Sequence, residues 1–600
     1  MKKLTILFVF LLVSATMFAQ TYLDVAPGYG TLNDSIAAHQ GDVIYRLQAG
    51  QWYGLNGIIQ NSGFPLTIIG TMPAAGQMPA EIQTGTNPDG TVLSQMFTMF
   101  NDLTLRNLFI VNANQNDVFG PTVFWSASPT SITLRIDSCV FDPTGANMIR
   151  WATTPHPNLF MTNSQVINLG DLNSEWTGNL FDTSTDPRNG LDTLYLENNT
   201  FLSTGMLLIF NSSFAADSEN VFWINHNSFI FHKLQFIWDW RMNEYFVTNN
   251  LFFDYSTSPT TVKSNVYFPD GDTAGPESRF ALINQDTAYY DSSNGKLLSN
   301  RKLFVEYNSN YTDPRFQAIA TTWAKTHTVN NDGVTPVPTS YLVPLMYPSD
   351  SAGVNREAQM CSDKAHFPNF YENNYWDNLM GNKPNTDPQF NDATFYKVQD
   401  SLVAWTLPTM EIAQWGFDPT KISPQPAQAG NWFWHADTSY GNPVKWPRVD
   451  ASYTNSTLLT ASIEGLPLGD LNWFPTQKAI WQKNQASIKQ HILNENETKI
   501  SVTAVNQEKN QTPIDFSLSQ NYPNPFNPST EIKYSITKNS MVTLKVYNLL
   551  GQEVATLVNQ EQKPGNYIIN FNASQLASGV YMYRIQSGDF SLTKKMTLLK

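Results

Sequence analysis

One short phrase recurs through the middle of this 600-residue chain and narrows its fold more than any other feature. An aliphatic residue and a polar one are followed by Asn or a small polar pair, then by an apolar or aromatic residue. It reads Leu196-Glu197-Asn198-Asn199-Thr200-Phe201, then Ile224-Asn225-His226-Asn227-Ser228-Phe229, then Val247-Thr248-Asn249-Asn250-Leu251-Phe252. A looser copy spans Val305 to Tyr311, and degenerate copies begin at Leu105, Ile136 and Met161. Phe201 to Phe229 is 28 positions and Phe229 to Phe252 is 23. That spacing suits one coil of a parallel β-helix and is short for a propeller blade of about 40 to 45 residues. The flanking apolar residues are expected to point inward and stack coil on coil. Asn is expected at the bend, where it tolerates the left-handed backbone region and bonds neighbouring amides.

A chain of this length ordinarily makes three or four domains, but stacked folds grow along an axis and break that prior. Only 14% of residues are charged while 13% are aromatic, so the chain is too apolar to be disordered throughout. A net charge of −14 and the lack of a basic stretch exclude a nucleic-acid binder. Two cysteines, Cys139 and Cys361, are too few for a disulfide framework and are expected as buried thiols.

Ahead of the repeats, Thr31 to Ala38 is expected to form a short amphipathic helix closing the open end of the first coil. Val43–Leu47 and Leu66–Gly70 follow as strands. With the Asn-bearing phrases, this combination resembles the N-terminal part of pectate-lyase-like β-helix proteins over residues 21 to 320. The all-β fold expected is thus a right-handed parallel β-helix passenger, residues 20–492, with decorating loops and a C-terminal cap from about 330. Gly465 to Trp473 resembles a phrase that closes related secreted β-helix proteins. A polar stretch, 493–514, reads as a linker.

Chemistry is harder to read. A β-helix lyase needs a base of near-neutral pKa and often Ca²⁺, and a hydrolase needs converging acids. His232, Lys233, Asp239 and Arg241, polar residues among aromatics, are the candidate catalytic group. Trp238 and Trp240 fall on one side of a strand and suit a sugar-stacking platform or a core. Asp270 and Asp272 are candidate Ca²⁺ ligands, although Gly-Asp turns look the same. No cofactor is otherwise required. No phosphate loop, nucleophile elbow, zinc spacing or dinucleotide fingerprint is present.

The two ends carry addresses. Lys2 and Lys3 precede an apolar run from Leu4 to Met17, the pattern of a signal peptide over residues 1–19 with cleavage after Ala19. No later run reaches ~18 apolar residues, so no transmembrane helix is expected. From 515 to 600 the chain alternates polar and apolar residues, as in Ile532, Tyr534, Ile536 and in Tyr581, Tyr583, Ile585. Regular Pro and Gly punctuation makes this a small antiparallel, Ig-like β-sandwich. Its opening, Asn521-Tyr522-Pro523-Asn524-Pro525-Phe526-Asn527-Pro528, resembles the first motif of the type A sorting domain of the type IX secretion system. Val546 to Val554, with Gly551, is similar to that family's central motif. Ala577 to Arg584, with Gly579 and Tyr581, resembles its penultimate strand, and Lys594-Lys595-Met596 its last. The resemblance implies Sec export to the periplasm, recognition by the type IX machinery, delivery to the outer-membrane surface or the extracellular space, and attachment of the passenger to lipopolysaccharide. The reading that results is a monomeric surface protein contacting polysaccharide or acting as an adhesive, structural exoprotein. Its rival is a polysaccharide lyase or glycoside hydrolase.

Overall fold

The computed structural model describes residues 21–143, 145, 147–169, 178–182, 191–205, 208–209, 221–232, 237–238, 244–254, 283–284, 302–311, 313–315, 318, 383, 386–414, 446–494, 499–500, 517–521, 524, 526, 528–536, 538–548, 552–563, 565–573, 576–588 and 590–598. The chain divides into two units, Met1–Val502 and Thr503–Lys600.

In the first unit the strands recur in threes and build three parallel sheets, a β-helix-like stack. The first sheet runs in chain order from Tyr22–Asp24 to Lys302–Glu306, the second from Trp52–Gly54 to Ser309–Tyr311, and the third from Ile59–Gln60 to Ile283–Asn284. Every strand pairs with its counterpart one coil away, so like sits on like. Phe201, Phe229 and Phe252 share one register line, with ring centroids 4.9 and 5.1 Å apart and planes within 11°. That separation is close to the ~4.8 Å between neighbouring strands, so the rings follow the backbone ladder without adjustment.

The corner between the first and second sheets explains the phrase. It is two residues long in most coils, and the first of them is left-handed: Ser138, Asn163, Asn198, His226, Asn249 and Tyr307 all have φ between 53° and 59°. The second residue points inward and forms a ladder. The Asn199 backbone N–H and Nδ2 both donate to Asn227 Oδ1, at 3.1 and 2.9 Å. Asn227 donates in the same way to Asn250 Oδ1, and Asn250 to Asn308 Oδ1. Each of these amides also donates to a carbonyl one coil back, as from Asn227 Nδ2 to Leu196 O. Tolerance of left-handed backbone and amide pairing therefore belong to two adjacent positions. Tyr307 and His226 serve at the first; among the last four described coils only Asn serves at the second. Corners also pack closely: a Cβ on Gly70 would lie 2.0 Å from the carbonyl oxygen of Asn107 in the next coil.

Helix α1 (Thr31–His39) buries Leu32 and Ile36 in the interior cluster of the stack, consistent with a closed first coil. Cys139 is a free thiol buried inside, and burial pushes its pKa up to about 12. Cys361 lies outside the described residues.

The C-terminal part of the unit lies along the flank of the stack. Helix α2 (Thr394–Gln414) and the segment Val449–Leu468 contribute Phe395, Val398, Leu402, Tyr453 and Leu458 to a cluster on the outer face of the second sheet, against Phe109, Ile167, Leu202, Ile230 and Phe253. Helix α3 (Pro475–Leu493) places Trp481, Ile488 and Ile492 against Trp223, Phe246 and Phe304 of the first sheet. Between them, the segment Gly465 to Trp473 runs along the corner and binds its left-handed residues. Gly469 N–H donates to Asn249 O and Asn472 Nδ2 to Asn198 O, and from the first turn of α3 Lys478 Nζ donates to Asn163 Oδ1. His226 meets Glu464 and the Gly469 carbonyl, with both side chains fully buried. The phrase read as a closing element is thus a strap along the side.

The second unit has two antiparallel sheets. Ser517–Leu518, Ser529–Ile536 and Gly565–Asn572 form one; Glu553–Gln562, Ser540–Tyr547, Gly579–Ser587 and Phe590–Leu598, in that spatial order, form the other. Alternate residues Ile532, Tyr534, Val542, Leu544, Val546, Tyr583 and Ile585 meet in one core.

Candidate functional site

Among the described residues, C-terminal elements lie on two of the three flanks of the stack, and the outer surface of the third sheet carries a row of aromatic and charged side chains. Its register places Thr98, Trp125, Arg150 and Asp182 on successive strands in one row. Trp125 and Arg150 are half-buried, with the Arg150 guanidinium 5.3 Å from the Trp125 ring centroid. Arg150 Nε stands 3.7 Å from Asp182 Oδ2, which also accepts from Asn147 Nδ2 at 3.1 Å. Asn179 Nδ2 in turn donates to Asn147 Oδ1 at 3.0 Å. A flat ring, a planar cation, a carboxylate and two amides therefore lie side by side on one face. Asp182, Asn147 and Asn179 are buried and bonded to one another, so they hold Arg150 in place. The half-buried Trp125 and Arg150 are the members that can stack on a sugar ring and bond its hydroxyls.

The same row continues through Ile209 to Trp238, and Asn284 follows on the next strand. At about 4.8 Å per strand, Trp238 lies about 19 Å from Trp125 along the axis. Of the residues singled out in the sequence, backbone register places Trp238 on this sheet. His232 lies on the connection leading to that strand, fully buried, with Nδ1 2.8 Å from Thr204 Oγ1 and its ring edge-on to Phe229. Lys233, Asp239, Trp240, Arg241, Asp270 and Asp272 lie outside the described residues. Among the described residues no group of three His, Cys, Asp or Glu side chains is placed to hold a metal ion.

Sequence reasoning missed Trp125, Arg150 and Asp182. Their alignment depends on how much chain separates the second sheet from the third. That stretch runs from Phe141 to Asn147 in one coil and from Phe253 to Ile283 in another, so no fixed spacing exposes the row.

In the second unit the motifs converge. Asn521 N–H donates to the Tyr583 hydroxyl at 2.8 Å, and that hydroxyl donates to Ser519 O. Val546 and Tyr547 pair with Tyr583 and Met582 across the sheet, while Tyr583 and Tyr581 face Lys594 and Met596. Phe526 is buried; Asn524 and Lys595 are exposed. Ala19, Tyr522, Pro523, Pro525, Asn527 and Gly551 lie outside the described residues. No helix among the described residues is long and apolar enough to cross a membrane.

Residues 520–598 match the family of the secretion system C-terminal sorting domain. The chain thus carries a secretion-system sorting domain joined to a β-rich passenger of three stacked parallel sheets. No curated protein matches it. Among solved structures, that of the PL6 family alginate lyase AlyGC aligns over 40% of this chain and 36% of that one, at 15% identity and a TM-score of 0.22.

Proposed function

We propose that this protein leaves the cytoplasm by the Sec route, crosses the outer membrane through the type IX secretion system, and presents a right-handed, pectate-lyase-like β-helix that contacts polysaccharide at the cell surface. The observation that carries the export reading is the family match over residues 520–598, whose described residues fold as two antiparallel sheets. The row Trp125–Arg150–Asp182 supports the polysaccharide reading. Its cation is already matched by a carboxylate, an arrangement that favours recognition over proton abstraction. Such a role needs no cofactor and works in a monomer. Attachment to surface lipopolysaccharide after removal of the sorting domain belongs to the same proposal.

Deleting Asn521 to Lys600 is expected to leave the passenger in the periplasm, as read by protease shaving and cell fractionation. Surface delivery of the truncated chain would overturn the export reading. For the glycan, the mature protein is expected to retain one or more members of a glycan panel, with and without calcium. Trp125→Ala should weaken that retention at least tenfold, about 1.4 kcal/mol. Undiminished binding by the variant would remove the third sheet from consideration. Depolymerisation of a uronate polymer that stops with chelator would replace binding by catalysis.

A further inference from the structure

The sorting domain's first and last motifs meet at a sheet edge, and the contact has a specific form. Phe590–Leu598 is the outermost strand of the four-stranded sheet; its ladder partner is Gly579–Ser587, and among the described residues an isolated parallel bridge from Leu598 to Phe526 lies on its other side. Its other side would present a row of free N–H and C=O groups, the template on which another strand adds. The opening segment occupies that row near its C-terminal end. Thr597 N–H donates to Asn524 Oδ1 at 2.9 Å, and Phe526 N–H donates to Thr597 O at 2.9 Å. Gln520 Nε2 donates to Lys595 O at 2.6 Å, with Asn524 Nδ2 3.5 Å from the same oxygen. Side chains supply much of this pairing. A segment punctuated by Pro523, Pro525 and Pro528 has no N–H at those three positions and cannot continue as a ladder itself.

We infer that the Pro-spaced opening motif acts inside the sorting domain as a plug on the hydrogen-bonding edge of its last strand, with Asn524 as the positioning residue that closes the Thr597 amide. This rests on the export reading and adds to it a role for the motif. Asn524 keeps the terminal strand in the form that is delivered, by denying its edge to other extended chains. Phe526, buried in the core, anchors the plug, and Asn521 fastens its start to Tyr583. Asparagine suits position 524 because one side chain offers both an acceptor for Thr597 N–H and a donor toward Lys595 O.

The test compares Asn524→Ala with Asn524→Asp in the full chain, by hydrogen exchange of peptides covering residues 590–600 and by surface delivery. Aspartate keeps the acceptor for Thr597 N–H and gives up only the long 3.5 Å contact to the Lys595 carbonyl. Asn524→Ala is expected to speed exchange in that peptide at least tenfold and to reduce delivery several-fold, while the strand Ser540–Tyr547 stays protected. Asn524→Asp should restore both readouts. Gln520→Ala, which opens only the Lys595 carbonyl, should give a smaller effect of the same sign, and serves if the alanine variant at 524 unfolds the domain. Unchanged exchange with lost delivery would show that the export machinery reads Asn524 directly, and would overturn the plug. Faster exchange with normal delivery would overturn its role in export. Neither result touches the export reading, which stands or falls with the truncation of residues 521–600.

Discussion

Replacing Asn227 by alanine is expected to destabilise the passenger by about 4 kcal/mol, although the position lies on no sheet and in no site. Its Oδ1 accepts both the backbone N–H and the side-chain amide of Asn199, at 3.1 and 2.9 Å, in a region closed to water. Its own amide donates to Leu196 O, Asn225 O and Asn250 Oδ1. Alanine leaves two buried donors on Asn199 without an acceptor, at about 1 to 3 kcal/mol each, and strips carbonyls from the coil before. Urea unfolding followed by tryptophan fluorescence would report the loss as a lower midpoint. Asn198→Gly, one residue away, is the contrast. Asn198 has φ 56°, a backbone glycine adopts freely, and its side chain only accepts a 3.4 Å bond from Leu471 N–H. That change should cost less than about 1 kcal/mol. Equal losses at the two positions would mean that the ladder does not hold the corner.

The second large effect has the opposite sign. Glu81 sits on the outer face of the second sheet, between Trp52 and Phe109 in register, and is 1% exposed. Neither carboxyl oxygen has a hydrogen-bond partner. Arg448, the nearest cation to act on it, is committed to a buried ion pair with Asp142 and lies over the Phe109 ring. Burial pushes the Glu81 pKa from 4.5 up to about 7, with Arg448 offsetting only part of it. The folded protein therefore holds this proton at pH values where the unfolded chain has released it. Stability falls as pH rises from about 4.5 through about 7, and the full penalty of about 3 kcal/mol applies above that. Glu81→Met is expected to raise the urea midpoint at pH 8 by the equivalent of about 3 kcal/mol and to lose most of that advantage by pH 5. Asp254 and Asp470, also buried and pushed up to about 7, add slopes of the same sign. The difference between wild type and variant, taken across pH, isolates Glu81. A difference that stays constant with pH would show that its proton is not involved.

Both predictions concern residues whose importance the linear chain conceals to different degrees. The Asn-bearing phrases were visible because their two-residue corner allows no slack, so the pattern survives from coil to coil. What could not be read was the division of labour within the corner. Two adjacent asparagines look alike in one dimension, and only the turn of the backbone sends one outward and one inward. Glu81 gave no signal: Ala80-Glu81-Ile82-Gln83 alternates like any half-exposed strand. Its burial comes from Arg448 and its neighbours, several hundred residues later in the chain. The polar row on the third sheet was hidden for a related reason, since connections of unequal length scramble its spacing.

Local, repeated physics was set by the amino-acid order alone. The alternation of apolar residues, the coil period and the sorting motifs each depend on contacts between residues close in sequence or on identical neighbours stacked one period apart. Tertiary structure alone decided which faces are covered, which carboxylates lose water, and where the strap and the edge plug make their bonds. Those outcomes depend on pairs such as His226 with Glu464 and Asn524 with Thr597, joined across long stretches of chain whose path no local preference specifies.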